Sequence, residues 1–133
     1  MELRRPLRVF KTRAFGQFAR KEGLSDVALC EAIDRAERGL VDADLGGHVS
    51  KQRVARPGQG RSGGYRTLIA FRKRDRAIFI FGFAKNDRDN VSSGDLKRLR
   101  EAAAEALTWR DAEVAMLVAS GKWIEVNCDA QSL

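Results

Sequence analysis

After Gly46-Gly47 the hydrophobic period of this chain changes from helical to two, and three strand-like runs follow one another at 49–55, 65–72 and 77–84. No feature restricts the fold more. The connections between the runs are too short for a crossover helix, so consecutive strands must pair antiparallel. In the first run Val49, Lys51, Arg53 and Ala55 share one face, and Ser50, Gln52 and Val54 share the other. In the second, Arg66, Leu68 and Ala70 oppose Tyr65, Thr67, Ile69 and Phe71. The third, AIFIFGFA, is apolar on both faces and therefore belongs in the middle of the sheet. Strict alternation predicts Phe79, Phe81 and Phe83 on its core side, with Gly82 opposite them where something can approach the backbone closely.

Helical patterns lie on either side of these strands in sequence. Residues 5–11 read as a short strand, with Pro6 near its start as on a sheet edge. Thr12 caps a helix to residue 22 whose apolar face is Ala14, Phe15, Phe18 and Ala19, and Gly23 ends it. Ser25 caps a second helix, through about residue 38, with a stripe of Leu29, Ile33, Ala36 and Leu40. Cys30 lies beside that stripe as a core or boundary thiol. After the strands, Ser92 and Asp95 make a capping-box-like start to a helix carrying Leu96, Leu99, Ala103 and Leu107 on one face. Asp111 is the expected cap of a further helix ended by Gly121, and residues 123–126 make a short strand or a clamp on the core. The expected fold class is α+β: an antiparallel sheet of about four strands, two N-terminal helices and a closing C-terminal helix, with the helices on one sheet face. The other face then keeps Lys51, Arg53 and Arg66.

Composition narrows the function. A chain of 133 residues, 44% hydrophobic and 32% charged, is the size of one domain with a core of its own. Two cysteines, Cys30 and Cys128, make neither a disulfide framework nor a zinc quartet, and the one histidine, His48, argues against a metal centre or a Ser-His-Asp triad. No apolar run approaches ~20 residues, and the basic N-terminus lacks an apolar stretch behind it, so a membrane span and a secretory signal are not expected. The expectation is a reduced, cytoplasmic protein. Its charge is uneven. Residues 49–92 carry +8, against +1 for residues 1–48 and −2 for residues 93–133. A concentrated positive field favours a polyanion.

The acidic residues are dispersed, and GQGRSGG fits neither the P-loop nor the dinucleotide pattern. What remains is a set of cations on strands. Lys51 and Arg53 share a face, Arg66 opens the neighbouring strand after a glycine loop carrying Arg56 and Arg61, and Lys85 ends the third. Neighbouring strands lie about 5 Å apart, so these side chains can gather around one phosphate. Such a cluster suits RNA cleavage, in which the 2′-hydroxyl is the nucleophile and the protein aligns it and stabilises the charge that develops. Arginine forks do the second task, and a lysine crowded by other cations is suited to accept the proton. A solvated hairpin whose cations blunt a sheet edge is the alternative for the same residues.

The runs KQRVARPGQGRSGGYRTLIAF at 51–71 and IFGFAKNDRDNVS at 80–92 resemble the RelE/ParE toxin superfamily, closest to its HigB-like branch of cytotoxic translational repressors. The resemblance covers roughly residues 5–108, which implies a RelE-like toxin domain at 1–108 with 109–133 as an appendage packed on the same domain. It implies a RelE-like fold and a type II toxin: a ribosome-dependent mRNA endonuclease acting in the 30S A site, without metal or cofactor, neutralised by a cognate antitoxin of helix-turn-helix type. By the same resemblance Lys51 and Arg53 are the paired basic residues of the first sheet strand, and Arg66 of the GYR motif stabilises the scissile phosphate. Arg56, Arg61, Lys85 and Arg88 are then contacts to the RNA backbone. The chain departs from the RelE pattern at Asn86, where those enzymes carry arginine, and in Asp89-Asn90-Val91-Ser92, which holds no tyrosine. The general base and general acid are therefore unassigned. Tyr65 reads as a core aromatic and His48 as a loop histidine. Two other functions stay open: a non-cleaving ParE-like gyrase inhibitor, and a basic RNA-binding module without toxicity.

Overall fold

The computed structural model describes residues 7–55, 64–84 and 91–128. The elements follow in the order β1 (Arg8–Thr12), α1 (Arg13–Glu22), α2 (Asp26–Glu37), β2 (Ala43–Asp44), β3 (Val49–Val54), β4 (Tyr65–Arg72), β5 (Arg76–Ala84), α3 (Ser93–Thr108), α4 (Asp111–Ala119) and β6 (Trp123–Val126). The strands form one six-stranded sheet in the order β2-β3-β4-β5-β1-β6. As the short links require, β3 pairs antiparallel with β4, from Val49↔Ala70 to Val54↔Tyr65, and β4 with β5, from Tyr65↔Ala84 to Arg72↔Arg76. The fold is α+β and mostly antiparallel, with two more strands than expected.

The two additions explain where β1 goes. It does not lie at an edge. It runs parallel to β5, with Arg8 opposite Arg76, and its other side is covered by antiparallel β6, with Val9 opposite Val126. The edges fall to β6 and to the two-residue β2. Pro6 lies outside the described residues.

Helix starts follow the capping chemistry. Thr12, Ser25 and Ser92 accept through their hydroxyls from the backbone N–H groups of Phe15, Ala28 and Asp95, at 3.1, 3.2 and 3.1 Å. Gly23, at φ 74°, ends α1 in the left-handed conformation. Two local expectations are corrected. The second helix stops at Glu37, so Leu40 leaves the stripe and is 56% exposed. Arg110 occupies the cap position of α4, and Asp111 is its first helical residue.

Helices cover both faces of the sheet, not one. On one side Phe15, Ala19, Leu29, Ala32 and Ile33 of α1 and α2 pack with Val54, Tyr65, Ile69 and Phe79. On the other, Ala103, Ala106 and Leu107 of α3 and Val114 of α4 pack with Phe10, Val49, Leu68, Ala70 and Ile78. The cause lies in β5. A strand apolar on both faces needs two layers, because leaving a side chain such as Ile78 or Phe79 in water would cost about 1.5–3 kcal/mol each.

The strand is also not regular. Leu68 stands opposite Phe81 and the next residue, Ile69, opposite Phe79, so Ile80 is an inserted residue. Such a bulge reverses the alternation. Phe79 therefore packs with α1 and α2, whereas Phe81 lies against the α3 cluster, and the three phenylalanines do not share a side. Gly82 is where the ring of Phe18 from α1 comes in: a Cβ there would sit 2.5 Å from Phe18 Cε2.

The cysteines are not free thiols. Cys30 of α2 and Cys128, just beyond β6, form a disulfide with their Cα atoms 5.4 Å apart, across 98 residues of sequence. Strand β6, laid antiparallel on β1, carries the chain back to the α1/α2 layer, where both cysteines pack. Among the described residues, no helix is long and apolar enough to cross a membrane.

Candidate nucleic-acid site

Arg53 of β3 and Arg66 of β4 stand directly opposite each other, and Lys51 lies two residues before Arg53. Strand alternation puts all three on the face that Val49 and Leu68 present to α3. The buried residues of α3, Ala103, Ala106 and Leu107, cover the Val49–Ala70 end of this face. The Arg53–Arg66 pair lies at the opposite end of β3, next in register to Phe83, whose ring is 5.9 Å from that of Phe81.

Both guanidinium groups meet a single carboxylate. Arg53 Nε donates to Asp42 Oδ1 at 2.7 Å, and Arg66 Nε lies 3.7 Å from Asp42 Oδ2, an ion pair too long for a hydrogen bond. Arg53 is 43% exposed along its side chain and Arg66 only 13%. Arg66 Nη1 is buried and has no hydrogen-bond partner among the described residues. Among the described residues Lys51 takes part in no ion pair. An open groove of about 440 Å³, lined by Arg35, Leu40, Val41, Asp42, Gln52 and Arg53, runs alongside.

A polar scaffold under the strands holds this arrangement. Gln52 is fully buried, and its Nε2 donates to the carbonyls of Ala32 and Leu40, both at 2.9 Å. Thr67 Oγ1 donates to Gln52 O at 2.9 Å, and Arg35 Nη2 donates to Arg53 O at 2.6 Å while its Nε is held by Glu31. The Asp42 N–H donates to Lys51 O at 3.0 Å. These bonds fix the backbone that carries the cations, although Gln52 Oε1 is itself buried without a partner among the described residues.

Arg56, Arg61, Lys85 and Arg88 lie outside the described residues. The ladder residues nearest those segments in sequence, Val54, Tyr65 and Ala84, stand in one row across β3, β4 and β5. Tyr65 is a core residue, 1% exposed, whose hydroxyl donates to Glu22 Oε1 at 2.8 Å. His48, at φ 64°, precedes the far end of β3, five residues and therefore about 17 Å from Arg53, so it is not brought to the cations. Asp42 escaped the reading of the sequence. It lies eleven residues before Arg53, outside every periodic segment, and only the pairing of Ala43 with Lys51 brings it alongside.

Among the described residues, two guanidinium groups and one ammonium stand against one carboxylate at this end of the sheet, with a buried donor unfilled. Arginine forks arranged in this way are chemically suited to an anion such as a phosphate. Compared one by one with curated proteins, the chain matches none. The family model described as "RelE toxin of RelE / RelB toxin-antitoxin system" matches residues 7–126, which takes in every strand and helix from β1 to β6. A toxin of such a system has an antitoxin as its partner, and this chain, with its α+β layers and its cationic sheet end, belongs to the RelE toxin family.

Proposed function

We propose that this toxin is a ribosome-dependent mRNA endonuclease of the HigB-like kind, which represses translation in the cytoplasm by cleaving mRNA in the 30S A site. One observation carries the reading: Arg53 and Arg66 face each other across two strands with Lys51 beside them, and a buried Nη1 of Arg66 lacks a partner among the described residues. In the proposed reaction the RNA 2′-oxygen attacks the adjacent phosphorus and the 5′-oxygen leaves, giving a 2′,3′-cyclic phosphate and a 5′-hydroxyl. Lys51 and Arg53 orient the ribose and polarise the 2′-hydroxyl, whose proton passes to water, and water returns a proton to the leaving 5′-oxygen. Arg66 stabilises the pentavalent phosphorus, where charge accumulates. Arg56, Arg61, Lys85 and Arg88 hold flanking phosphates. RNA supplies its own nucleophile, so the reaction calls for no metal. The antitoxin is of helix-turn-helix type.

The test is cleavage of mRNA on purified ribosomes, mapped by primer extension. Arg66→Ala is expected to lower kcat by about 10²–10³-fold, as does loss of one donor to a developing oxyanion. Equal cleavage by wild type and variant would falsify the assignment. Growth arrest with DNA damage and intact mRNA would indicate gyrase as the target instead.

A further inference from the structure

The Arg53–Arg66 pair raises an electrostatic problem. Two guanidinium groups on facing residues of neighbouring strands repel, and without a counter-charge their flexible side chains would spread into solvent. Asp42 supplies that counter-charge, and it meets each arginine at Nε, 2.7 Å from Arg53 and 3.7 Å from Arg66. A guanidinium presents one edge through Nε and another through its two Nη groups. A carboxylate at the Nε edges leaves the Nη edges for another anion, and that of Arg53, whose side chain is 43% exposed, is open to solvent, whereas Arg66 Nη1 is buried and without a partner among the described residues.

Resting on the ribonuclease reading above, we propose that Asp42 is a positioning residue for the cleavage site. It holds Arg53 by a hydrogen bond at Nε and Arg66 by a longer ion pair, so that the exposed Nη groups of Arg53 are set for the RNA phosphate, and Arg66 is kept beside them, before substrate arrives. The contrary role, a stand-in for phosphate that RNA must displace, requires a carboxylate free to leave. Asp42 is not. Its side chain is 16% exposed, and its own N–H is bonded to Lys51 O. The residue two before it, Leu40, is bonded through its carbonyl to the fully buried Gln52, and the residue after it pairs with Lys51 in the β2–β3 ladder. Preorganised charge lowers the barrier because no reorientation is needed in the transition state.

The experiment compares wild type, Asp42→Ala and Asp42→Asn in single-turnover and steady-state cleavage of ribosome-bound mRNA. Exchange of the arginine Nε–H protons is followed in parallel by ¹⁵N NMR on the free protein. Asp42→Ala is expected to lower kcat by about 10²-fold, the effect of a misplacement of about 1 Å, with KM unchanged or lower because a negative charge has been removed. The Nε–H of Arg53 should exchange slowly in wild type and faster in both variants. Cleavage by Asp42→Ala at or above the wild-type rate overturns the proposal, as does Arg53 Nε–H exchange that is the same in all three proteins. If Asp42→Ala does not fold, Asp42→Asn, nearly identical in shape, gives the same two readouts. An inactive wild type sinks the ribonuclease reading alone, and the Nε–H exchange then still decides whether Asp42 holds the arginines.

Discussion

Two arginine pairs stand at the two ends of β4: Arg53 of β3 opposite Arg66, and Arg72 opposite Arg76 of β5. In sequence they look alike. In space they differ in what accepts from them. Arg76 is 7% exposed, and its Nη1 donates to the carbonyls of Ala106 and Trp109 at 2.9 and 2.8 Å, with Asp111 3.5 Å from Nη2. Arg72 donates to Leu107 O and to Asp75, both at 3.2 Å. Those carbonyls belong to the C-terminal end of α3, where a helix has acceptors without donors and a negative dipole. The pair thus caps a helix and ties it to the sheet. At the other end one carboxylate serves two guanidinium groups, and a buried donor has no acceptor among the described residues. The ratio of acceptors to donors, not the number of cations, separates the structural arginine pair from the one we propose to hold RNA.

The sharpest way to break this contrast is to remove one arginine from each end and measure unfolding in urea. Arg76→Ala strands the carbonyls of Ala106 and Trp109 and should cost about 3 kcal/mol. Arg66→Ala relieves a repulsion and should stay within about 1 kcal/mol of wild type, its effect falling on cleavage. Equal losses would erase the distinction. Arg72→Ala is the intermediate case. Its side chain is 42% exposed, so losing its bond to Leu107 should cost about 1 kcal/mol and leave cleavage unchanged. The smallest effect marks the baseline. Arg38, 60% exposed and paired with Asp34 along α2, should change stability by less than about 0.5 kcal/mol when replaced by alanine.

The contrast also shows how far the sequence could be read. Periods and caps located β3, β4, β5 and the four helices, because those signals are local: Thr12, Ser25 and Ser92 bond within their own first turns. The alternation of Val49, Lys51 and Arg53 against Arg66 and Leu68 also placed the three cations on one face. Features set by distant partners were not legible. β1 lies inside the sheet because β6, more than 110 residues later, covers it. β2 has two residues and no period of its own. The bulge at Ile80 broke the assumed alternation of the phenylalanines, although AIFIFGFA already pointed to cover on both sides. The +8 of residues 49–92 was too coarse a signal, because Arg72 and Arg76 contribute to it while serving α3. Asp42 and the Cys30–Cys128 bond are both pairings across sequence that no spacing rule encodes.

That bond has a topological consequence. It turns residues 30–128 into a covalent ring that encloses β2, β3, β4, β5, α3, α4 and β6, and so Asp42 and all three cations of the proposed site. A ring of about 100 residues removes on the order of 4–5 kcal/mol of chain entropy from the unfolded state. A protease that severs the backbone once inside the ring yields a nicked molecule, not two fragments. Its halves stay together until a thiol opens the bridge, so disposal of this toxin takes a reductant or a second cut.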